Sequence, residues 1–144
     1  MTYTATGPSI TVGVRVLADA ARAALTDDLR RSPWKGSPNP YAGQCYVAAE
    51  AVFHILGGRK SGITPIHMKH ESQPHWALRF ADGSILDPTA DQFGTVPNYA
   101  AARGATFLTV EPSKRAITLI GRIKSGWVRP ELRAARIGGT NGGI

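Results

Sequence analysis

Residues 43–58 place the only cysteine of the chain at the start of a strongly apolar, helix-forming stretch. Apolar side chains recur along it at three- to four-residue intervals, which predicts a half-buried helix. Gly57 and Gly58 then supply the positive φ at which many helices end. Cys45 therefore falls in the first turn, where free N–H groups and the helix dipole favour thiolate over thiol. A lone cysteine in such a helix is nevertheless more often a small buried hydrophobe, so other residues must decide its role.

The length and the single cysteine favour one domain in a reducing compartment. A chain of 144 residues can bury a core without a metal or a disulfide, and one cysteine excludes an internal disulfide. No apolar run approaches the roughly 18 residues that span a bilayer, and the first residues lack the basic-then-apolar pattern of a signal peptide. We therefore predict a single cytoplasmic domain over residues 1–144 without a membrane partner, with a disordered lead-in over about 1–11 and a flexible tail over about 137–144.

Hydrophobic periodicity and turn residues predict an α+β fold. The predicted helices cover residues 14–31, 45–56 and 112–124, and the predicted strands cover residues 63–70, 75–80 and 84–87. Shorter elements are predicted at 96–103 (helix), 107–110 (strand) and 130–136 (helix). Because the strands are short and separated by turn residues, we expect helices packed on a small antiparallel sheet.

The hairpin between the strands at 75–80 and 84–87 decides which of their residues share a face of the sheet. A three-residue loop with Gly83 in the left-handed region pairs Ala77 with Asp87. Asp87 then lies on the same face as His75, one diagonal step away, at a backbone separation of roughly 5.5–8 Å that a side-chain hydrogen bond can close. A two-residue turn would instead direct Asp87 to the opposite face.

Cys45, His75 and Asp87 follow one another in the chain, each within a short motif. The motifs are Gly43-Gln44-Cys45 entering an alanine-rich helix, Gly62-Ile63-Thr64-Pro65 opening a strand, His75-Trp76 in the next strand, Gly83, and Asp87-Pro88-Thr89. Over roughly residues 40–90 this pattern resembles the transglutaminase-like branch of the papain-like cysteine enzymes, whose order and fold arylamine N-acetyltransferases share. It departs from true transglutaminases because the tryptophan directly follows His75 and because the segment from His75 to Asp87 is short.

The resemblance implies a papain-like core and thiol-dependent acyl transfer. The reaction would be hydrolysis of a peptide, an isopeptide or a side-chain amide, or transfer of the acyl group to an amine. Cys45 would be the nucleophile, His75 the general acid and base, and Asp87 the group that orients the imidazole. The substrate would be a protein or a small amide or ester, and no cofactor is needed.

An oxyanion formed on the substrate needs hydrogen-bond donors, and the N–H of Cys45 at the helix start is one. Asn39 stands six residues upstream, the spacing at which papain-type enzymes place their oxyanion glutamine. Gln44 and the indole of Trp34 compete with it for the second place. Trp76 is a further candidate for contact with substrate, although its alternation with other apolar residues is more typical of the core.

The charge of the chain leaves alternative functions open. The net charge is +7, from 17 Lys and Arg against 10 Asp and Glu, and the surplus lies late in the chain. It favours an acidic substrate or partner, and a basic nucleic-acid-binding protein is an alternative, although no aromatic residues interleave the basic ones for base stacking. A non-catalytic binding or inhibitor module of the same fold is another.

A zinc site is not expected, because His67 and His70 fall on opposite faces of their predicted strand. The oligomeric state stays open.

Overall fold

A computed structural model describes residues 9–133 as an α+β fold in which three longer helices accompany one four-stranded sheet. The helices are α1 (Val12–Ala23), α2 (Cys45–Ile55) and α3 (Lys114–Ser125). The strands are β1 (Thr64–His70), β2 (Gln73–Arg79), β3 (Ile85–Leu86) and β4 (Arg103–Gly104). Within residues 9–133, no helix is both long enough and apolar enough to cross a membrane.

The sheet is antiparallel throughout, in the order β3-β2-β1-β4. Its two longest strands, β1 and β2, are joined by Glu71 and Ser72, which have φ values of 49° and 63°. Positive φ at both turn positions matches the twist of the flanking strands. The predicted break between these strands, 71–74, is therefore too long, because Gln73 and Pro74 already pair with β1.

The hairpin from β2 to β3 has the register that the sequence predicted. The N–H of Phe80 donates to the carbonyl of Ser84 at 2.8 Å, and Gly83 has a φ of 89°. The three-residue loop with a left-handed glycine is confirmed. The same register carries Asp87 to the sheet face that holds His75.

α2 is the central element of the fold, because it packs against the sheet on one side and against the other helices elsewhere. Its completely buried apolar residues are Val47, Ala48, Ala49, Ala51 and Val52. One apolar cluster joins it to α1 and to Leu78 of β2, and another joins it to Leu119 of α3. The small alanine side chains allow close approach on several sides, so α2 is more deeply buried than the predicted half-buried helix.

Glu50 of α2 is completely buried, although it carries a carboxylate. The carboxylate accepts hydrogen bonds from the N–H and the hydroxyl of Ser113, at 2.7 and 2.8 Å. Ser113 is also the N-cap of α3, since its hydroxyl accepts the N–H of Ala116 at 3.2 Å. Glu50 thereby holds the start of α3 against the middle of α2.

The first predicted helix, over 14–31, is wrong in its length. α1 begins after Thr11, whose hydroxyl caps it, and ends at residue 23; a separate short 3-10 turn follows. Arg122 of α3 donates to the carbonyl of Ala24 at 3.1 Å and to the hydroxyl of Thr26 at 2.7 Å. These long-range contacts satisfy groups that would lie inside a longer helix, so tertiary structure overrides the local pattern.

Two short elements late in the chain also differ from the prediction. Residues 107–110 do not form a strand, and Phe107 packs into the core beside α2 instead. The edge strand of this region is β4, which pairs with β1. The helix predicted over 96–103 is reduced to a 3-10 turn over Tyr99–Ala101. Elements this short depend on their partners more than on the propensity of their own residues.

The end of α2 is as predicted, since the helix stops at residue 55 and Gly57 has a φ of 116°. Residues 130–133 are helical, as predicted. The remainder of that predicted helix, the predicted tail over 137–144 and residues 1–8 of the predicted lead-in lie outside the described residues.

Candidate active site

His75 and Asp87 form a short hydrogen bond where β2 faces the chain that leaves β3. His75 is completely buried, and its Nε2 atom lies 2.6 Å from Oδ2 of Asp87, whose side chain is only 4% exposed. The same oxygen accepts the hydroxyl of Tyr99 at 2.7 Å, and the other carboxylate oxygen accepts the N–H of Thr89 at 3.3 Å. These contacts hold the imidazole in one orientation, with Nδ1 on the side away from the carboxylate.

Nδ1 of His75 is buried and has no hydrogen-bond partner among the residues described. The side chain of Cys45 is nevertheless near enough to contribute to the pKa of the ring. Burial lowers the pKa of His75, but the hydrogen bond and charge of Asp87, together with the nearby Cys45, outweigh it and raise that pKa from 6.5 to about 9. At neutral pH this imidazole is therefore protonated, and its Nδ1 can donate a hydrogen bond.

Cys45 is the first residue of α2 and is 8% exposed. The side chain of the preceding residue, Gln44, does not cap the helix. Within residues 9–133 the N–H of Cys45 donates no hydrogen bond. The sulfur therefore lies beside an unpaired backbone donor at the positive end of the helix dipole.

Cys45 borders a cavity of about 130 Å³ that lies between the start of α2, the loop before it and β2. Three aromatic residues, Trp34, Tyr46 and Trp76, line it, and the last two meet edge to face with ring centroids 4.9 Å apart. The other lining residues are Arg31, Gly43, Gln73, Pro74, Gln92 and Arg115. A cavity of this size has room for a small acyl group.

Larger cavities lie elsewhere on the protein, but they do not contain the sulfur. One of about 350 Å³ lies beside Phe53 and Phe107, and one of about 540 Å³ lies on the far side of Asp87, next to Tyr99. Neither brings a nucleophile together with a base. The chemistry of the lining residues, rather than volume, therefore selects the cavity at Cys45.

Gly43 fixes the distance between the loop before α2 and the wall of this cavity. Its φ is 71°, and a Cβ added there would lie 2.5 Å from Cβ of Trp34. The indole of Trp34 thus packs directly against the backbone two residues before Cys45. A side chain at Gly43 would displace either the indole or the loop.

Replacing Gly43 with alanine is expected to cost about 2–3 kcal/mol of folding free energy and to change the reactivity of Cys45, because the positive φ and the indole both oppose a side chain. Gly36→Ala is a matched control, since Gly36 has a φ of 81° but no atom within 4 Å of an added Cβ. The control should lose only about 1 kcal/mol, the cost of the φ. Urea unfolding and the rate of iodoacetamide labelling measure the two effects. Equal losses in the two variants would show that Trp34 does not constrain the loop.

The two amide side chains predicted as oxyanion donors are engaged elsewhere. The amide nitrogen of Asn39 donates to the carbonyl of Gln92 at 3.1 Å. The amide nitrogen of Gln44 donates to the carbonyl of Thr26 at 2.8 Å, and this side chain is completely buried. Neither residue lines the cavity at Cys45. The structure therefore brings Trp34 and Trp76 to the cavity, but not Asn39 or Gln44.

Four residues of the site were not singled out from the sequence. Tyr99 bonds to Asp87, the ring of Phe93 meets the ring of His75 edge to face at 4.9 Å, and Arg31 and Arg115 line the cavity. Phe93 follows one short 3-10 turn and Tyr99 begins another, and such short turns have no periodicity that indicates a direction. The arginines are far apart in sequence and resemble the other basic residues, so no local signal could have selected them.

Histidines other than His75 do not form a second centre. Nε2 of His70 lies 2.8 Å from the hydroxyl of Thr95, and the ring of His67 lies tilted by 46° against that of Trp76. Among residues 9–133, no three His, Cys, Asp or Glu side chains gather in a way that could hold a metal ion.

Comparison with known proteins assigns the chain to a family. A protein-family model described as YunG protein matches residues 15–116, well over half of the chain. The chain belongs to the YunG protein family. The YunG match runs from α1 into the first turn of α3 and includes Cys45, His75 and Asp87. Neither the curated proteins nor the solved structures contain a match. The function of this YunG family member has therefore to be inferred from its site.

Proposed function

We propose that this YunG family member is a cysteine-dependent acyl-transfer enzyme of the papain-like and transglutaminase-like kind, with Cys45 as nucleophile. One observation carries the proposal. A buried histidine is held by a carboxylate through Nε2, while its other nitrogen has no partner among residues 9–133 and lies on the side away from that carboxylate. Cys45, which contributes to the raised pKa of this ring, is the first residue of a helix and borders a cavity.

The proposed reaction begins with attack of the Cys45 sulfur on the carbonyl carbon of an amide or ester. Because the raised pKa keeps His75 protonated at neutral pH, the thiol proton already lies on Nδ1 when the thiolate attacks, and the carbonyl oxygen becomes an oxyanion that the N–H of Cys45 stabilises. The carbon–nitrogen or carbon–oxygen bond then breaks, and His75 returns the proton to the leaving group. The acyl group remains on sulfur as a thioester.

The second half of the reaction releases the acyl group. Water or an amine attacks the thioester, His75 Nδ1 accepts the proton of the incoming group, and Cys45 leaves as the thiolate that the imidazolium stabilises. Water gives hydrolysis and an amine gives transamidation. The reducing conditions of a cytoplasm would keep Cys45 competent for either reaction.

Asp87 and Tyr99 act through the imidazole rather than on the substrate. The carboxylate holds Nε2 and stabilises the imidazolium, and the Tyr99 hydroxyl holds the carboxylate. Burial and the Asp87 charge raise the pKa of Tyr99. Tyr99 therefore stays protonated and remains a donor to Asp87.

Labelling of Cys45 by iodoacetamide tests the proposal without knowledge of the substrate. At pH 7, His75→Gln is expected to slow labelling by about 10- to 100-fold, because the imidazolium no longer stabilises the thiolate. The pKa of His75 is raised to about 9, so the ring is protonated below that pH and loses its proton above it. The difference between the two proteins should therefore close as the pH rises past 9. Mass spectrometry of the intact protein gives the rates.

His67→Gln is the matched control for this experiment, because it makes the same change on β1, where the ring lies tilted against Trp76 with centroids 5.0 Å apart. It should label at the wild-type rate. Labelling of the wild type that is slow at pH 7, or equally fast in His75→Gln, would leave a non-catalytic binding module of the same fold as the better description.

Nucleic-acid binding is the second candidate function, because arginines of the basic C-terminal third are engaged in contacts within the protein. Arg122 bonds to Asp28 at 2.8 Å and also to Ala24 and Thr26, and Arg129 donates to the carbonyl of Arg22 at 2.7 Å. These guanidinium groups join α3 and the chain after it to the rest of the fold. Part of the positive charge in this region is therefore engaged within the protein.

A further inference from the structure

Two arginines, Arg31 and Arg115, line the cavity that Cys45 borders. Arg31 comes from the loop after the first 3-10 turn, and Arg115 comes from the first turn of α3. Among residues 9–133 neither forms an ion pair with a carboxylate. The nearby acid, Glu50, is already bonded twice to Ser113. The cavity therefore carries positive charge that the described part of the protein does not neutralise.

Arg115 is held in place although its charge is incompletely satisfied. Its Nη1 donates to the carbonyl of Leu29 at 2.5 Å, while its Nε is buried without a hydrogen-bond partner in the described chain. Burial and the charge of Arg31 both lower the pKa of Arg115. Two like charges that approach each other destabilise the unliganded protein, and an anion bound in the cavity would relieve this repulsion.

We propose that Arg31 and Arg115 bind a carboxylate of the acyl donor, so that the site acts on substrates with a carboxylate a few bonds from the scissile carbonyl. This inference rests on the proposed function and specifies its substrate class. Guanidinium groups match carboxylate oxygens in geometry and charge. Both arginines line the same cavity of about 130 Å³ as Cys45, so a carboxylate that they bind would lie within a short acyl chain of the sulfur.

Iodoacetate and iodoacetamide form a size-matched pair of probes for this site. Both lose iodide to the Cys45 sulfur and leave a thioether, but only iodoacetate carries a carboxylate. We expect the ratio of the iodoacetate rate to the iodoacetamide rate to exceed that of N-acetylcysteine by about tenfold or more. Using the ratio removes any difference in the intrinsic reactivity of the sulfur.

Arg31→Gln and Arg115→Gln are each expected to lower this ratio by about 5- to 10-fold, and the pair together by more, because each removes one charged hydrogen-bond donor. Arg31 is exposed, and its side chain makes no hydrogen bond with residues 9–133, so Arg31→Gln should fold normally. Arg59→Gln is the matched control, since Arg59 is exposed beside a different cavity. It should leave the ratio unchanged.

Titration of succinate into Cys45→Ser protein tests anion binding independently of the thiol. Saturable binding that weakens at least fivefold in Cys45→Ser/Arg31→Gln supports the inference. Absence of binding, together with a rate ratio that neither arginine variant changes, overturns the inference, while fast iodoacetamide labelling would leave the proposed function intact. Slow labelling by both reagents would instead contradict the proposed function, and the succinate titration would still decide whether the arginines bind a carboxylate.

Discussion

Replacing Asp87 with asparagine is expected to slow turnover of an activated ester, such as a p-nitrophenyl ester, by about 10²- to 10⁴-fold. The carboxylate of Asp87 lies 2.6 Å from Nε2 of His75, so it fixes the tautomer of the ring and stabilises the imidazolium. Asparagine keeps the shape but removes the charge, and its NH2 group can turn toward Nε2. The ring would then be held in the wrong tautomer or not held at all.

Two measurements accompany the loss of rate. In the variant, the imidazole of His75 should release its proton well below the wild-type pKa of about 9, which a titration by NMR records directly. Tyr99→Phe is the milder comparison, because it removes one hydrogen bond of 2.7 Å to the same carboxylate and leaves its charge. It should slow turnover by less than about tenfold. Wild-type turnover in Asp87→Asn would exclude a role for the carboxylate in the reaction.

Replacing Glu50 with alanine is expected to lower the free energy of unfolding by about 3 kcal/mol. Glu50 is completely buried, and its carboxylate accepts both the N–H and the hydroxyl of Ser113. The substitution leaves those donors without their partner and opens a cavity between α2 and α3. Removal of a buried carboxylate also removes its desolvation cost, which offsets part of the loss. The expected loss of stability is therefore in the lower part of the range for truncation of a buried side chain.

Urea unfolding of three variants separates the contributions to this loss. Ser113→Ala should cost about 1–2 kcal/mol, because it removes the hydroxyl that caps α3 while the backbone N–H keeps Glu50 as its acceptor. Glu111→Ala removes an exposed carboxylate close by in the chain and should change stability by less than about 0.5 kcal/mol. Equal stability of Glu50→Ala and wild type would show that Glu50 does not join the two helices.

Local sequence was sufficient for the parts of the fold that neighbouring residues control. The three- to four-residue spacing and Gly57 predicted α2 and its end, and Gly83 predicted the three-residue loop between β2 and β3. Loop length determines the register of a hairpin, and register determines the face on which each side chain lies. The placement of Asp87 on the face of His75 could therefore be predicted before any coordinates.

The predictions that failed are those in which a distant residue competes with local propensity. The helix expected over 14–31 stops early, and Arg122 bonds to the groups beyond its end. The strand expected over 107–110 is absent, because Phe107 finds its partners in the core beside α2. Asn39 had a suitable spacing from Cys45, but spacing says nothing about the carbonyl of Gln92 that engages its amide.

The chain by itself determined the order Cys45, His75 and Asp87 and the helix that begins with the cysteine. It also determined the register of the hairpin, which places Asp87 on the face of His75. Only the tertiary structure decided that Tyr99 bonds to Asp87 and that Arg31 and Arg115 meet at one cavity. The physical reason is the distance in sequence over which each interaction acts. Periodicity and turn geometry act between neighbours in sequence, whereas these contacts arise from the packing of α2 against both the sheet and α3, which no single segment of the chain encodes.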